Sequence, residues 1–385
     1  MARWTRQILF GDVDAMYASA AVIDDPSLAG KPMAVGGSSP RGIITSASYT
    51  ARAFGVRSAM PTGQARRLCP GLIVVSPDFG LYRRLHEQMR TVMDRWLPVV
   101  EWSSIDEFYA DTSALQSCHP DPVELARAIK DALCSETGLR CTVAVATCKL
   151  VAKVAADAHK PDGLAVIAPG EEAAFLARQP LAALPGIGPK SLAVLSPLGL
   201  RTISDLLAPQ HETALRRLWG SRLDSLQLLA RGLDSEAVAP DRAAKSIGHE
   251  TTFDEDTAEL AVMERALQGF LGALAHELRQ DGLAADGFAV KLKDRAFRIT
   301  TRQRRFPVPL NYDPSMWRHI RPALHALAAP GVHYRLVGLS LSGLVPASAS
   351  LFDQRTPKAL AAMDALIERY GAGAIRLGGI PEKEE

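Results

Sequence analysis

The stretch Gly11-Asp12-Val13-Asp14-Ala15-Met16-Tyr17-Ala18 decides how this chain is read. It follows Ile8-Leu9-Phe10, so residues 8–14 read as a buried strand ending in two carboxylates. A second acidic stretch, Ser103-Ser104-Ile105-Asp106-Glu107-Phe108-Tyr109-Ala110-Asp111, sets Asp106 and Glu107 side by side between strand-like segments at 99–105 and 108–111. Neighbours in a regular strand point to opposite faces, so both acids can serve one site only if a turn or bulge lies there. Hard oxygen donors without His or Cys suit Mg²⁺ or Mn²⁺. Two such ions about 3.5–4 Å apart clamp an in-line phosphoryl displacement. Taken alone, each acidic pair reads more readily as a strand-end or turn feature exposed to water.

Working outward, the pattern predicts a turn at 24–30, a short strand at 31–35, a loop at 36–41, a strand beginning at Ile43-Ile44, and a helix from Ser46 to Phe54. Leu81, Leu85, Met89, Val92, Met93 and Trp96 recur at three and four, which makes 81–96 an amphipathic helix. A second helix at 122–136, a strand at 142–146 and an Ala- and Lys-rich helix to His159 complete an α+β layer domain. Residues 170–232 then read as short helices punctuated by five prolines, and 233–245 as a polar linker. Mixed structure returns over 246–345, with helices at 258–281 and 315–329 and strands near 287–293, 296–302 and 335–342. A last helix is expected at 357–370.

With 385 residues the chain is long enough for two to four compact units. Its 44 Lys and Arg against 42 Asp and Glu give a net charge of +2, which excludes a polybasic arm or an acidic solvating chain. Hydrophobic content of 47% excludes global disorder. Five cysteines without a CxxC pair read as reduced thiols, and no apolar run is long enough for a membrane span, so a cytoplasmic protein is expected. The near-zero total hides a local excess. From Gly287 to Arg335 stand ten cations (Lys291, Lys293, Arg295, Arg298, Arg302, Arg304, Arg305, Arg318, Arg321 and Arg335) against Asp294 and Asp313, a net +8. With period two, several of these share one strand face and could track a nucleic-acid backbone.

Between and after the acids stand four further motifs. They are Gly42-Ile43-Ile44-Thr45-Ser46-Ala47-Ser48-Tyr49-Thr50-Ala51-Arg52-Ala53-Phe54-Gly55-Val56, Lys153-Val154-Ala155-Ala156-Asp157-Ala158-His159-Lys160-Pro161-Asp162-Gly163, Leu184-Pro185-Gly186-Ile187-Gly188, and Lys245-Ser246-Ile247-Gly248-His249-Glu250-Thr251-Thr252-Phe253. This ordered series resembles the Y-family (translesion) DNA polymerases, the bacterial DNA polymerase IV branch above all, from about residue 8 to about 375.

The resemblance implies an α+β multidomain, right-hand fold. The palm would be 1–17 and 75–165, the fingers 18–74, a helical thumb with a helix-hairpin-helix 166–233, a linker 234–245, an α+β little finger 246–345, and a tail 346–385. It implies a template-directed, low-fidelity polymerase for lesion bypass, with two Mg²⁺ ions (Mn²⁺ able to substitute) on Asp12, the Val13 carbonyl, Asp106 and Glu107. By this resemblance Asp12, Asp106 and Glu107 would be the catalytic acids, with Asp14 beside them and not a direct ligand. Tyr17 matches a steric gate against the ribose 2′-hydroxyl, and Ile43 and Thr45 would lie over the nascent base pair. Thr45 is bulkier than the Ala often found in the family. Tyr49 and Arg52, three apart on one helix face, and Lys160 would hold the triphosphate. Ala144-Val145-Ala146-Thr147-Cys148-Lys149 departs from the family's Gly-x-Ser-x-Asn-Lys, and Cys148 is read as a small residue packing beside Lys149.

For DNA, Pro185-Gly186-Ile187-Gly188 with Lys190 fits a helix-hairpin-helix, though an ordinary αα turn looks alike, and the local charge excess points to Lys291, Lys293, Arg295, Arg298, Arg302, Arg304 and Arg305, a solvated basic face being the bland alternative. Ser348-Ala349-Ser350-Leu351-Phe352 resembles the sliding-clamp-binding pentapeptide, with Leu351 and Phe352 as anchors and Ser348 where a Gln is usual. The expected partners are primer–template DNA, deoxynucleoside triphosphates and the sliding clamp, bound by a monomer with no membrane attachment. A catalytically silent scaffold would have lost the acids, and a two-metal nuclease leaves Tyr17, Tyr49 and Arg52 unexplained.

Overall fold

The computed structural model describes residues 4–39, 41–240, 244–347, 362, 364–366 and 369. They form two compact units, Met1–Arg242 and Ala243–Glu385. The first runs β1 (Ile8–Val13), α1 (Met16–Asp24), β2 (Met33–Gly36), β3 (Ile44–Ala47), α2 (Tyr49–Ala53), α3 (Thr62–Leu68), β4 (Ile73–Val75), α4 (Phe79–Trp96), β5 (Val100–Trp102), β6 (Glu107–Asp111), α5 (Pro122–Thr137), β7 (Cys141–Ala146), α6 (Lys149–His159) and β8 (Leu164–Val166). Helices α7 (Glu172–Ala177), α8 (Pro189–Leu195), α9 (Glu212–Trp219) and α10 (Arg222–Ala230) follow.

The larger sheet of this unit has the order β5-β6-β1-β7-β8, with β1 antiparallel to both neighbours. All six residues of β1 are buried, because both faces of the sheet are covered. The side-chain alternation divides them. Leu9 and Val13 join α4 and α5 in one core, whereas Ile8 and Phe10 join α6 and the helices after it in another. Asp12 has the parity of Ile8 and Phe10, so its carboxylate belongs to the α6 side. Gly11 is in register with Phe108, and a Cβ on Gly11 would come within 2.3 Å of the Phe108 ring. The glycine is therefore the space that the phenyl group of the neighbouring strand fills.

A separate sheet, β3-β2-β4, has its own small core of Ala34, Ile44, Ala47, Ala51, Val56, Ala65, Cys69 and Leu72. The helix expected from Ser46 begins only at Tyr49. Ser46 and Ala47 pair with Val35 and Ala34 on β2, and the Ser48 hydroxyl caps the helix by accepting the Ala51 N–H at 3.2 Å. The strand expected over 99–105 stops at Trp102. The Ser103 and Ser104 N–H groups both turn back to the Glu107 carbonyl, and this makes the turn that the adjacent acids required. Residues 170–232 contain no strand, in keeping with the expectation of short helices.

The second unit is β9 (Ser246–Thr257), α11 (Leu260–Gln280), β10 (Leu283–Asp294), β11 (Ile299–Leu310), α12 (Asp313–Leu327) and β12 (Tyr334–Pro346). Its antiparallel sheet has the order β11-β10-β12-β9. Phe288, Val290 and Leu292 of β10 pack with Leu267, Leu271 and Leu274 of α11 and with Met316 and Ile320 of α12, so both helices cover one face. Strand β9 was not anticipated, since it is mostly exposed and has no apolar alternation to show. Leu351 and Phe352 lie outside the described residues, and the helix expected at 357–370 is helical at those of its residues that are described.

Gly11→Ala is expected to lower stability by roughly 1–3 kcal/mol through overpacking against Phe108. A thermal melt would show a Tm several degrees lower, and Gly11→Ala/Phe108→Leu should recover part of the loss.

Candidate functional site

The acids converge because β1 and β6 end together. Asp12 is the register partner of Glu107, so the two carboxylates share the α6 side of the sheet, and the Val13 N–H donates to the Asp106 carbonyl at 3.0 Å. Asp12 is only 4% exposed. Burial pushes its carboxyl up to about 7, against the pull of the Lys160 ammonium and with the help of the Glu107 and Asp106 charges. The Lys160 ammonium donates to Asp12, and burial and this carboxylate act in opposite directions on the lysine, the carboxylate holding it above its ordinary value. Lys153 Nζ donates to Glu107 Oε1 at 2.7 Å and stands 4.8 Å over the Phe10 ring. The Ser104 hydroxyl donates to Asp106 Oδ1 at 2.6 Å and accepts the Glu107 N–H at 3.0 Å. Lysine ammonium groups thus meet two of the three acids, and among the described residues no three acidic, imidazole or thiol side chains form a closed ligand set.

Asp14, two residues on, does different work. It accepts from Tyr49 Oη (3.2 Å), Thr142 Oγ1 (3.0 Å) and the Asp162 N–H (2.7 Å). These bonds tie the end of β1 to α2, to β7 and to the loop after α6, and they satisfy Asp14 with hydroxyl and amide donors. Directly after Asp14 the chain enters α1 through Ala15, whose φ of 49° is left-handed.

One cleft of about 230 Å³ is lined by Asp12, Val13, Tyr17, Thr45, Tyr49, Arg52, Asp106, Glu107 and Lys160, together with Ala15, Met16, Ser46 and Ser58. Tyr17 stacks on the buried Tyr82 with ring centroids 4.2 Å apart, which fixes the ring at the cleft wall. The Arg52 guanidinium lies 4.5 Å over the Tyr49 ring, and its Nε donates to the Ala47 carbonyl at 3.0 Å. Burial first, then Asp14, pushes the Tyr49 phenol up to about 12, so it remains a hydroxyl donor. Ile43 is not part of this lining. Its side chain is exposed beside Thr45, at the outer end of the small sheet.

Lys153, Ser104, Tyr82, Ser46 and Ser58 were not singled out from the sequence. Lys153 had a legible signal: it stands four residues after Lys149 on one face of α6, with Lys160 just past the end of that helix. The serines and Tyr82 had none, because their roles depend on chain crossings.

Away from the cleft, Gly186 has a φ of 89° and Gly188 is the N-cap of α8, which carries the exposed Lys190. A Cβ on Gly186 would meet the Arg222 guanidinium, which donates to the Gly186 carbonyl at 3.2 Å. In the second unit the basic residues divide between the sheet faces. Lys291 and Lys293 pair with Thr301 and Ile299 on the face opposite the helices, where Arg305, opposite Gly287, has the same parity. Arg302 and Arg304 pair with Val290 and Phe288, and so stand on the helix-bearing side with Arg318 of α12. Arg295 and Arg298 lie in the hairpin between β10 and β11, and Arg298 Nε donates to Asp294 at 2.7 Å. Lys291 Nζ donates to Glu250 at 2.8 Å.

Known proteins resemble this chain in both sequence and fold. The impB/mucB/samB family matches residues 11–157, and its C-terminal domain matches residues 244–354. The DNA polymerase IV of Halorhodospira halophila is 39% identical over 343 residues, covering 89% of this chain and 96% of that one. That of Caulobacter vibrioides is 35% identical over 381 residues, covering 97% and 94%. Among solved structures, a Y-family DNA polymerase chimera of Dbh and Dpo4 superposes with a TM-score of 0.80 at 26% identity, over 89% of this chain and all of that one. DinB from Sulfolobus solfataricus gives 0.62 at 26% identity over the same shares. The sheet that brings Asp12 to Glu107 and the separate four-stranded unit thus have counterparts along nearly the whole chain, which belongs to the impB/mucB/samB family of Y-family DNA polymerases, with their right-hand fold of palm, fingers, thumb and little finger.

Proposed function

We propose that this chain is a template-directed DNA polymerase of low fidelity that adds deoxynucleotides to a primer 3′ end and acts in translesion synthesis. The observation that carries the reading is the cleft itself. Nine residues singled out from the sequence, drawn from five elements and two loops, line one cavity of about 230 Å³. The named relatives are DNA polymerase IV proteins, and one of the solved structures is an insertion ternary complex of Dbh DNA polymerase.

The donor set fits divalent cations. Asp12, the Val13 carbonyl, Asp106 and Glu107 are hard oxygen ligands, and a carboxylate as buried as Asp12 calls for a cation beside it. Two Mg²⁺ ions, or Mn²⁺ in their place, would activate the primer hydroxyl and neutralise the triphosphate when bound there. The remaining chemistry is positioning. Lys160, Tyr49 and Arg52 hold phosphate oxygens by charge and hydrogen bonds, and the Tyr17 ring, braced by Tyr82, leaves no room for a ribose 2′-hydroxyl. Thr45, with Ile43 beside it, lies over the nascent base pair. Gly186, Gly188 and Lys190 approach one stretch of DNA backbone, and Lys291, Lys293, Arg295, Arg298, Arg302, Arg304 and Arg305 another.

In this reading the palm is 1–17 and 75–165, the fingers 18–74, the thumb 166–233, the linker 234–245 and the little finger 246–345. The chain works as a cytoplasmic monomer, and Leu351 and Phe352 anchor it to the sliding clamp. Among the described residues no helix is long and apolar enough to cross a membrane.

Primer extension with Mg²⁺ is the test. Asp106→Ala should keep the far-ultraviolet spectrum of the parent and extend no primer, and normal extension by that variant would sink the assignment. Tyr17→Ala should incorporate ribonucleotides where the parent rejects them, read on a gel with each triphosphate in turn. Cation binding needs Asp12 ionised, so Mn²⁺ affinity of the free protein should climb about tenfold per pH unit up to about pH 7 and level off above it. Asp12→Asn should bind more weakly and lose that slope, measured by calorimetry in buffers of different ionisation enthalpy.

A further inference from the structure

The end of the first unit does not leave it where the helices stop. Beyond α10 the chain runs back over the large sheet and is held there at residues 232, 234, 236, 238 and 239. Cys148, which stands where the family has Asn, donates its thiol to the Gly232 carbonyl at 3.5 Å. Asp234 accepts the Leu150 N–H at 3.1 Å with one oxygen and the Glu236 N–H at 2.9 Å with the other. Arg6 donates to the Asp234 carbonyl at 3.2 Å and to the Glu236 carbonyl. Val238 packs against the core that α6 and the thumb helices share. The last fastening is the Ala239 N–H, which donates at 2.7 Å to Glu101 Oε2.

That oxygen also receives Lys149 Nζ at 2.5 Å, and both side chains of this ion pair are only 6% exposed. Lys149 reaches Glu236 as well, at 3.5 Å. A buried ion pair is seldom kept for stability alone, because desolvation cancels most of its attraction. Here it sits under the strap and orients the carboxylate that receives it. Contacts from β5, α6 and the N-terminal segment therefore converge on a stretch that composition alone describes as linker. Between Ala239 and the start of β9 at Ser246 only six residues remain, 240–245.

We propose that Asp234–Ala239 is a strap on the first unit, fastened by Asp234 and by the Lys149–Glu101 pair, and that it strengthens joint binding of primer–template DNA by shortening the tether to the second unit's sheet. This rests on the reading of both units as DNA-binding. Two sites on one chain bind a common ligand with an effective concentration that falls roughly as the −3/2 power of a tether long enough to span them. Releasing the strap lengthens the tether from six residues to twelve, which is about a threefold loss. Asp234, Glu101, Lys149 and Arg6 are positioning residues: none lines the catalytic cleft.

The test uses the full chain with Asp234→Ala, and with Arg6→Ala as a second variant that removes the carbonyl clasp without touching the carboxylate. Hydrogen exchange at the Glu236 and Ala239 amides should speed up about tenfold, the loss of one charge-assisted bond, while exchange in β1 and β7 stays unchanged. The Kd for a primer–template duplex, by fluorescence anisotropy at fixed salt, should rise about threefold, with kcat at saturating DNA unaltered. Asp234→Asn, which keeps one acceptor, should fall between. Unchanged exchange at both amides in both variants overturns the strap. Faster exchange with an unchanged Kd overturns its role in DNA binding. A parent protein that binds the duplex but extends no primer overturns the polymerase reading instead, and leaves both arms of this test readable.

Discussion

Asp12 carries a carboxylate to the end of a strand with no exposed residue, and much of the first unit is arranged around that placement. An isolated buried charge takes up a proton or draws a cation. Both tendencies are visible: the carboxyl is pushed up to about 7, and Lys160 donates to it. Strand parity places Glu107 on the same side, and Lys153 of α6, the helix that Lys160 directly follows, meets it. Helix α6 is in effect a row of ammonium groups facing a row of acids across the sheet. The arrangement is electrostatically provisional in the way functional sites are, since the same carboxylates suit a stronger cation than lysine.

The neighbouring Asp14 shows how little residue type decides. It is as buried as Asp12, yet three donors satisfy it and it serves as a hub between β1, α2 and β7. Tyr49 is therefore fastened to the sheet that bears the acids, so the helix presenting Tyr49 and Arg52 is set relative to Asp12 through a residue that touches neither phosphate nor metal in the proposed reaction. Tyr17 is held in the same indirect way by Tyr82. Preorganisation of this kind matters in phosphoryl transfer, where positioning and charge supply nearly all the catalysis.

Much of the site was legible in the amino-acid sequence. The acid pairs at strand ends, the Tyr49–Arg52 helix face and the Lys160 position are local patterns, and their order along the chain narrowed them to one family. The misses follow from non-local causes. Helix α2 starts late because β2 claims Ser46 and Ala47 as partners. Strand β9 has a mostly solvent-facing pattern, so period-two hydrophobicity was not there to be found. The stretch 234–239 has a linker's composition, yet Arg6 and Glu101, more than a hundred residues upstream, hold it down.

What the amino-acid sequence determined by itself is the chemistry on offer: hard carboxylates, a helix face that carries a phenol and a guanidinium, an aromatic ring close after the first acids, and a concentration of cations in the last large unit. Those depend on residue identity and short-range periodicity, which a linear reading preserves. Tertiary structure alone decided which acid faces which cation, that Asp14 is a brace and Asp12 is not, and that the arginines of β11 split between two sheet faces. Each of these turns on strand register, and a shift of one residue would exchange the faces without altering a single letter of the pattern.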